Sequence, residues 1–242
     1  MTQQPPTDYP GDVVITGQRR QADGTFPSPA GGGGGIPGDD GSIHQEEVDP
    51  DPPDWPYSPP HPCDDPETAL PWNADAAGAG SGDAFVSKAA GVGDTDPQTG
   101  MPTLANREFG RGLARGPNGS VWGNAVTPGP DRDPNDPTSR MTINMDGISY
   151  WDYIGDAHSH PNGNPLPSQE DWDGFIFNNN EARLRAGRTS ETFYMYITTV
   201  GPDGLPDKTY VYQDGPRASG SPDPARPAQI GPEVNPNAQP CP

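Results

Sequence analysis

Proline and glycine decide how much of this chain can fold. They number 35 and 32 among the 242 residues, more than a quarter of the whole, and they are unevenly spread. Such a load is typical of low-complexity polymers, so a packed core has to come from a subset of the sequence. Residues 1–66 contain "PSPAGGGGGIPGDDG" and "VDPDPPDWPYSPPHPCDDP", which lack the apolar surface needed to offset the entropy of ordering. They read as a disordered N-terminal region, with one island, "DVVITGQ", able to pair as a strand. Residues 216–242 return to Pro/Ala/Gly composition and read as a disordered C-terminal tail. Between the tails, residues 67–215 remain as one domain, large enough to bury one modest core.

Within that domain the pattern alternates between helix and strand signals. The Ala-rich stretch "DPETALPWNADAAGAGSGDAFVSKAAGV" predicts a helix, weakened by its glycines. "REFGRGLARG" and "SVWGNAVTPG" predict two short strands around the turn "GPNGS". "RMTINMD" alternates apolar and polar residues like a half-buried strand, and "YWDYIGDAHSH" reads as a strand running into two histidines. "SQEDWDGFIFNNNEARLRAG" predicts a helix with Trp172, Phe175 and Ile176 at helical spacing. "TFYMYITTV" and "KTYVYQ" are strands joined by the turn "GPDGLP". The sum is an α+β or mixed α/β domain.

Charge and cysteine content narrow the setting. The net charge is −20, and Arg19-Arg20 is the only basic run, so there is no surface for nucleic-acid phosphates or an anionic membrane. No apolar run is long enough to cross a bilayer. The N-terminus lacks a charged segment followed by an apolar one, so the chain is expected to be cytoplasmic or to leave by a route without a classical signal peptide. Cys63 and Cys241 bracket the domain. They either bridge in an oxidising compartment or remain as free thiols on the tails.

The chemistry is concentrated in "GDAHSHPNGNPLPSQEDW". Side chains alternate along a strand, so His158 and His160 point the same way and can share one metal ion. The loop "PNGNPLP" is long enough to turn and bring the first turn of a helix back to the strand end, where Asp171 can add a carboxylate oxygen. Two imidazoles and one carboxylate leave the fourth position of a tetrahedral Zn2+ open, which is the arrangement of a catalytic site. Such a site also needs a proton acceptor outside the ligand set, and Glu108 in "NREFGRGL" is the economical choice. Ser168 can stabilise a developing oxyanion, or it can simply cap the helix, since "SQED" is also a capping box.

Taken together, Glu108 followed by His158-x-His160, seven residues, Ser168, two residues and Asp171 resembles the JAMM signature of the JAB/MPN metalloprotease superfamily. The resemblance covers about residues 72–213. It implies a zinc-dependent hydrolase of peptide or isopeptide bonds, with a protein or peptide as substrate. It also implies a curved mixed sheet flanked by helices, of the kind shared with cytidine deaminases. By that resemblance His158, His160 and Asp171 hold Zn2+, Glu108 is the general base and Ser168 aids the oxyanion. "REFGRG" is similar to the Arg-Glu-Tyr-Gly-Gly of a bacterial JAB-like domain found in polymorphic toxin and secretion-linked proteins, with Phe109 and Arg111 as departures. That setting implies an effector with an immunity or secretion partner. The alternative is a catalytically inactive JAB-like module that binds a partner. The segment "TPGPDRDPNDPTSRM" is the expected selectivity loop.

Overall fold

The computed structural model describes residues 62–131 and 141–241. The expectations for residues 1–61, "DVVITGQ" included, and for most of the selectivity loop lie outside the described residues. No helix among the described residues is long and apolar enough to cross a membrane.

The Ala-rich stretch forms two helices, α1 (Pro66–Ala79) and α2 (Ser81–Val92). They part at Gly80-Ser81, where the Ser81 hydroxyl donates back to the carbonyl of Ala77 at 2.8 Å, a bond that bends helices. Six strands follow: β1 (Phe109–Arg115), β2 (Val121–Gly123), β3 (Thr127–Pro128), β4 (Tyr153–His160), β5 (Phe193–Val200) and β6 (Pro206–Asp214). They form one mixed sheet in the order β2-β1-β4-β5-β6, with β3 also on β1. β4 runs antiparallel to β1 and parallel to β5, and the helix α3 (Gln169–Ala186) makes the crossover that parallel neighbours require.

Every residue of β4 and of β5 is buried, as befits central strands covered on both faces. On one face the Tyr196 hydroxyl donates to Asp75 of α1 at 3.0 Å. On the other, the Arg183 guanidinium of α3 lies 4.8 Å over the Phe193 ring and pairs with Asp214 of β6 at 2.7 Å. Trp172, Phe175 and Ile176 are all in the core, as their spacing predicts. The expected α+β class, a mixed sheet flanked by helices, is therefore observed. Gly155 makes the close β4–β5 contact possible: its φ is 147°, and a Cβ there would sit 1.6 Å from the Tyr194 carbonyl oxygen.

Two expectations need correction. "RMTINMD" is not a strand, although its alternation is real: Met141 and Ile143 are buried while Thr142 and Asn144 are exposed. The segment lies across β1 instead of pairing with it. Gly110 and Gly112 offer no side chains on that face, and the space is taken by Met141, Ile143, Met145 and Ile148.

Residues 216–241 are also not a loose tail. Val211 donates to Pro232 O at 3.0 Å and Val234 donates to Thr209 O at 2.8 Å, so the segment covers the outer edge of β6. Trp172 Nε1 donates to Pro224 O at 2.7 Å, and Trp72 Nε1 donates to Gln239 O at 2.6 Å. Cys241 is bridged to Cys63. A Pro-rich segment cannot build its own core, but its carbonyls can accept hydrogen bonds from a domain that supplies one.

The bridge closes a loop with a sequence separation of 178 residues. Replacing Cys63 and Cys241 by Ser should cost about 2–4 kcal/mol, read as a lower midpoint in urea unfolding. An unchanged midpoint would mean that the C-terminal segment is held without it.

Candidate metal centre

β4 is flanked on both sides, so its polar side chains have to find partners inside the protein. Asp156, His158 and His160 share the face that looks towards α3. The two imidazoles bring their Nε2 atoms to 3.1 Å of each other, with the rings tilted by 43°. After His160 the chain turns back at once, Gly163 donating to the His160 carbonyl at 3.0 Å. Asn162 and Asn164 side chains accept from the backbone two residues on, which stiffens the loop. Ser168 then caps α3. Its hydroxyl accepts from Asp171 N at 2.9 Å, and Asp171 Oδ2 accepts from Ser168 N at 2.5 Å. The cap therefore aims the Asp171 carboxylate back at the strand end.

Asp171 Oδ2 lies 3.4 Å from His160 Nε2 and 3.9 Å from His158 Nε2. Ligand atoms of a tetrahedral Zn2+ stand about 3.3–3.5 Å apart, given bonds of about 2.0–2.2 Å, so the three atoms fit such an ion with little movement. Among the described residues, His158, His160 and Asp171 form the group arranged to hold a metal ion, and all three are buried.

The far side of each ring decides which nitrogen can bind. His160 Nδ1 lies 2.7 Å from the Asn164 carbonyl oxygen, which can only accept. His158 Nδ1 lies 3.4 Å from Asp156 Oδ1, also an acceptor. In the neutral rings both hydrogens therefore belong on Nδ1, which leaves both Nε2 lone pairs converging on the same point beside a carboxylate. That is the donor chemistry of a divalent cation site.

Glu108 immediately precedes β1 and is half-buried. The antiparallel register pairs Gly110 with His158, and continuing it by two residues sets Glu108 beside His160. Its negative charge acts on that imidazole. Ser168 serves as the helix cap, and a hydroxyl that accepts one bond still has a hydrogen to donate. All five residues picked out in the sequence thus gather around the end of β4. Asp156 and the Asn164 carbonyl were missed. The signal for Asp156 was available, because strand alternation puts a residue two before His158 on the same face.

The electrostatics separate the two imidazoles. Burial is the main cause that lowers the His158 pKa to about 4, and the neighbouring His160 adds to the effect against the pull of Asp171. Burial also opposes a charge on His160, but the hydrogen bond and charge of Asp171 outweigh it, and the His160 pKa rises. Asp171 is held well below the usual carboxylate range: burial works against its charge, but the His160 hydrogen bond and both imidazoles more than compensate.

The metal-free protein should therefore show His158 titrating near 4 and His160 above 6.5 in a histidine NMR titration. The contribution of His158 to stability is complete above about 6.5 and is lost as the pH falls towards 4. That of His160 has the opposite sign, complete below 6.5 and lost as the pH rises through its raised pKa. Coincident titration of the two rings would contradict this geometry. Compared with known proteins, the chain matches no protein-family model and no curated protein sequence.

Proposed function

We propose that this chain is a zinc-dependent hydrolase of a peptide or isopeptide bond, acting as the JAMM resemblance implies. The observation that carries the reading is the convergence of two Nε2 lone pairs and the Asp171 carboxylate at the end of β4, with Glu108 alongside. Two nitrogens and one hard oxygen suit zinc better than calcium or magnesium. The mixed sheet flanked by helices also supports a JAB-like architecture.

A bound Zn2+ supplies Lewis acidity for attack on a carbonyl. The protein does the rest. His158, His160 and Asp171 would hold the ion. Glu108 takes the proton of the attacking water and returns it to the departing amine. The Ser168 hydroxyl, held by the helix cap, donates to the developing oxyanion. The Cys63–Cys241 bridge supports a working place outside the reducing cytoplasm, in line with an exported effector.

Protein purified without added metal should carry about one equivalent of zinc by elemental analysis, lost in His158→Ala/His160→Ala. A wild type that holds none and takes none up would leave a partner-binding module as the better description. Glu108→Gln should keep the zinc and lose about 10²–10⁴-fold in peptide or isopeptide cleavage. Loss of zinc from that variant would make Glu108 a ligand instead of a base.

A further inference from the structure

One fully buried polar group beside the site takes no part in the proposed chemistry. Asp156 lies on β4 two residues before His158 and is fully buried, at 0% exposure. Its register partners are Gly112 on β1 and Met195 on β5, so both neighbouring strands present apolar positions to it. A carboxylate is costly in such surroundings unless its hydrogen bonds repay the lost hydration. One partner is His158, whose Nδ1 lies 3.4 Å from Asp156 Oδ1.

The two imidazoles are therefore backed differently. His160 leans on a neutral carbonyl, that of Asn164, and His158 leans on a carboxylate. A hydrogen bond to an ionised acceptor is roughly twice as strong as a neutral one, and it strengthens further when the ring's other nitrogen gives electron density to a cation. Once an ion is bound, a carboxylate behind His158 offsets part of its charge across the ring.

We propose that Asp156 is a positioning residue of the metal centre: it fixes His158 in the Nδ1–H tautomer, presents Nε2 to the ion, and makes His158 the stronger of the two imidazole ligands. This rests on the metal-site reading above. It assigns Asp156 a free energy realised on metal binding and not in folding alone.

The test uses the full chain as wild type, Asp156→Asn and Asp156→Ala. Zinc affinity is measured by competition with a chromophoric chelator, and melting is followed without metal. The affinity should fall about 10–100-fold in Asp156→Ala and by less in Asp156→Asn, which keeps an acceptor but loses the charge. Melting without metal shows whether each variant folds. Long-range proton–nitrogen NMR should show the Nδ1–H tautomer of His158 in the wild type and its loss in Asp156→Ala. Zinc affinity within twofold of the wild type in Asp156→Asn and Asp156→Ala alike would overturn the proposal and leave the metal site standing. If Asp156→Ala does not fold, an unchanged affinity in Asp156→Asn overturns it alone. A wild type that binds no zinc would overturn both readings.

Discussion

The central strand β4 has no face towards solvent, yet Asp156, His158, Ser159 and His160 give it four polar side chains, all of them buried. Buried polar groups have to be hydrogen-bonded or charge-compensated inside the protein, and most of the nearby architecture can be read as the means of doing so. Ser159 points to the opposite face and accepts from Phe109 N at 2.9 Å, which extends the β1–β4 ladder past its last backbone pair. The other three share the α3 face. There they are served by one another, by the returning loop and by the first turn of α3. A strand of this composition is stable only if something cationic or hydrogen-bonding occupies the point where its groups converge.

The capping box supplies the last of those partners, and it puts Asp171 to two uses. Oδ2 accepts from the Ser168 backbone and also faces both imidazoles. A cap of this type contributes about 1 kcal/mol to its helix, too little to explain why a carboxylate should be buried there. The same geometry aims the carboxylate at the strand end, so the cap and ligand readings of "SQED" describe a single arrangement.

Local periodicity made much of this legible. The runs "YIGDAHSH" and "FYMYITTV" announce their strands because alternation and β-branched or aromatic content agree there. The shared face of His158 and His160 follows from the same alternation. What stayed hidden depends on contacts far apart in sequence. Met141 and Ile143 have the pattern of a strand, but whether they pair or cover is decided by Gly110 and Gly112, some thirty residues earlier. The order of residues 216–241 comes from donors on α1, α3 and β6, which the composition of the segment itself does not reveal. Asp156 is a different case: alternation sets it on the face of His158, but one acidic residue among 34 reads as a solvated charge until its burial is known.

The two halves of the site are held by different means. His158 is fixed between the ladders of β1 and β5, and His160 by that of β5. Asp171 depends on a loop and a helix start, whose backbone would otherwise be among the more mobile parts of the domain. Three outside groups restrain it. The Tyr212 hydroxyl of β6 donates to the Pro165 carbonyl, Arg226 donates to the Pro167 carbonyl at 2.8 Å, and Trp172 is tied to Pro224. Two of these three contacts involve the C-terminal segment, whose end is fastened to residue 63 by the disulfide. The chain thus encloses the loop of its candidate metal centre: the segment that looks most like a linker braces Asp171, the one carboxylate of that group that the sheet cannot hold.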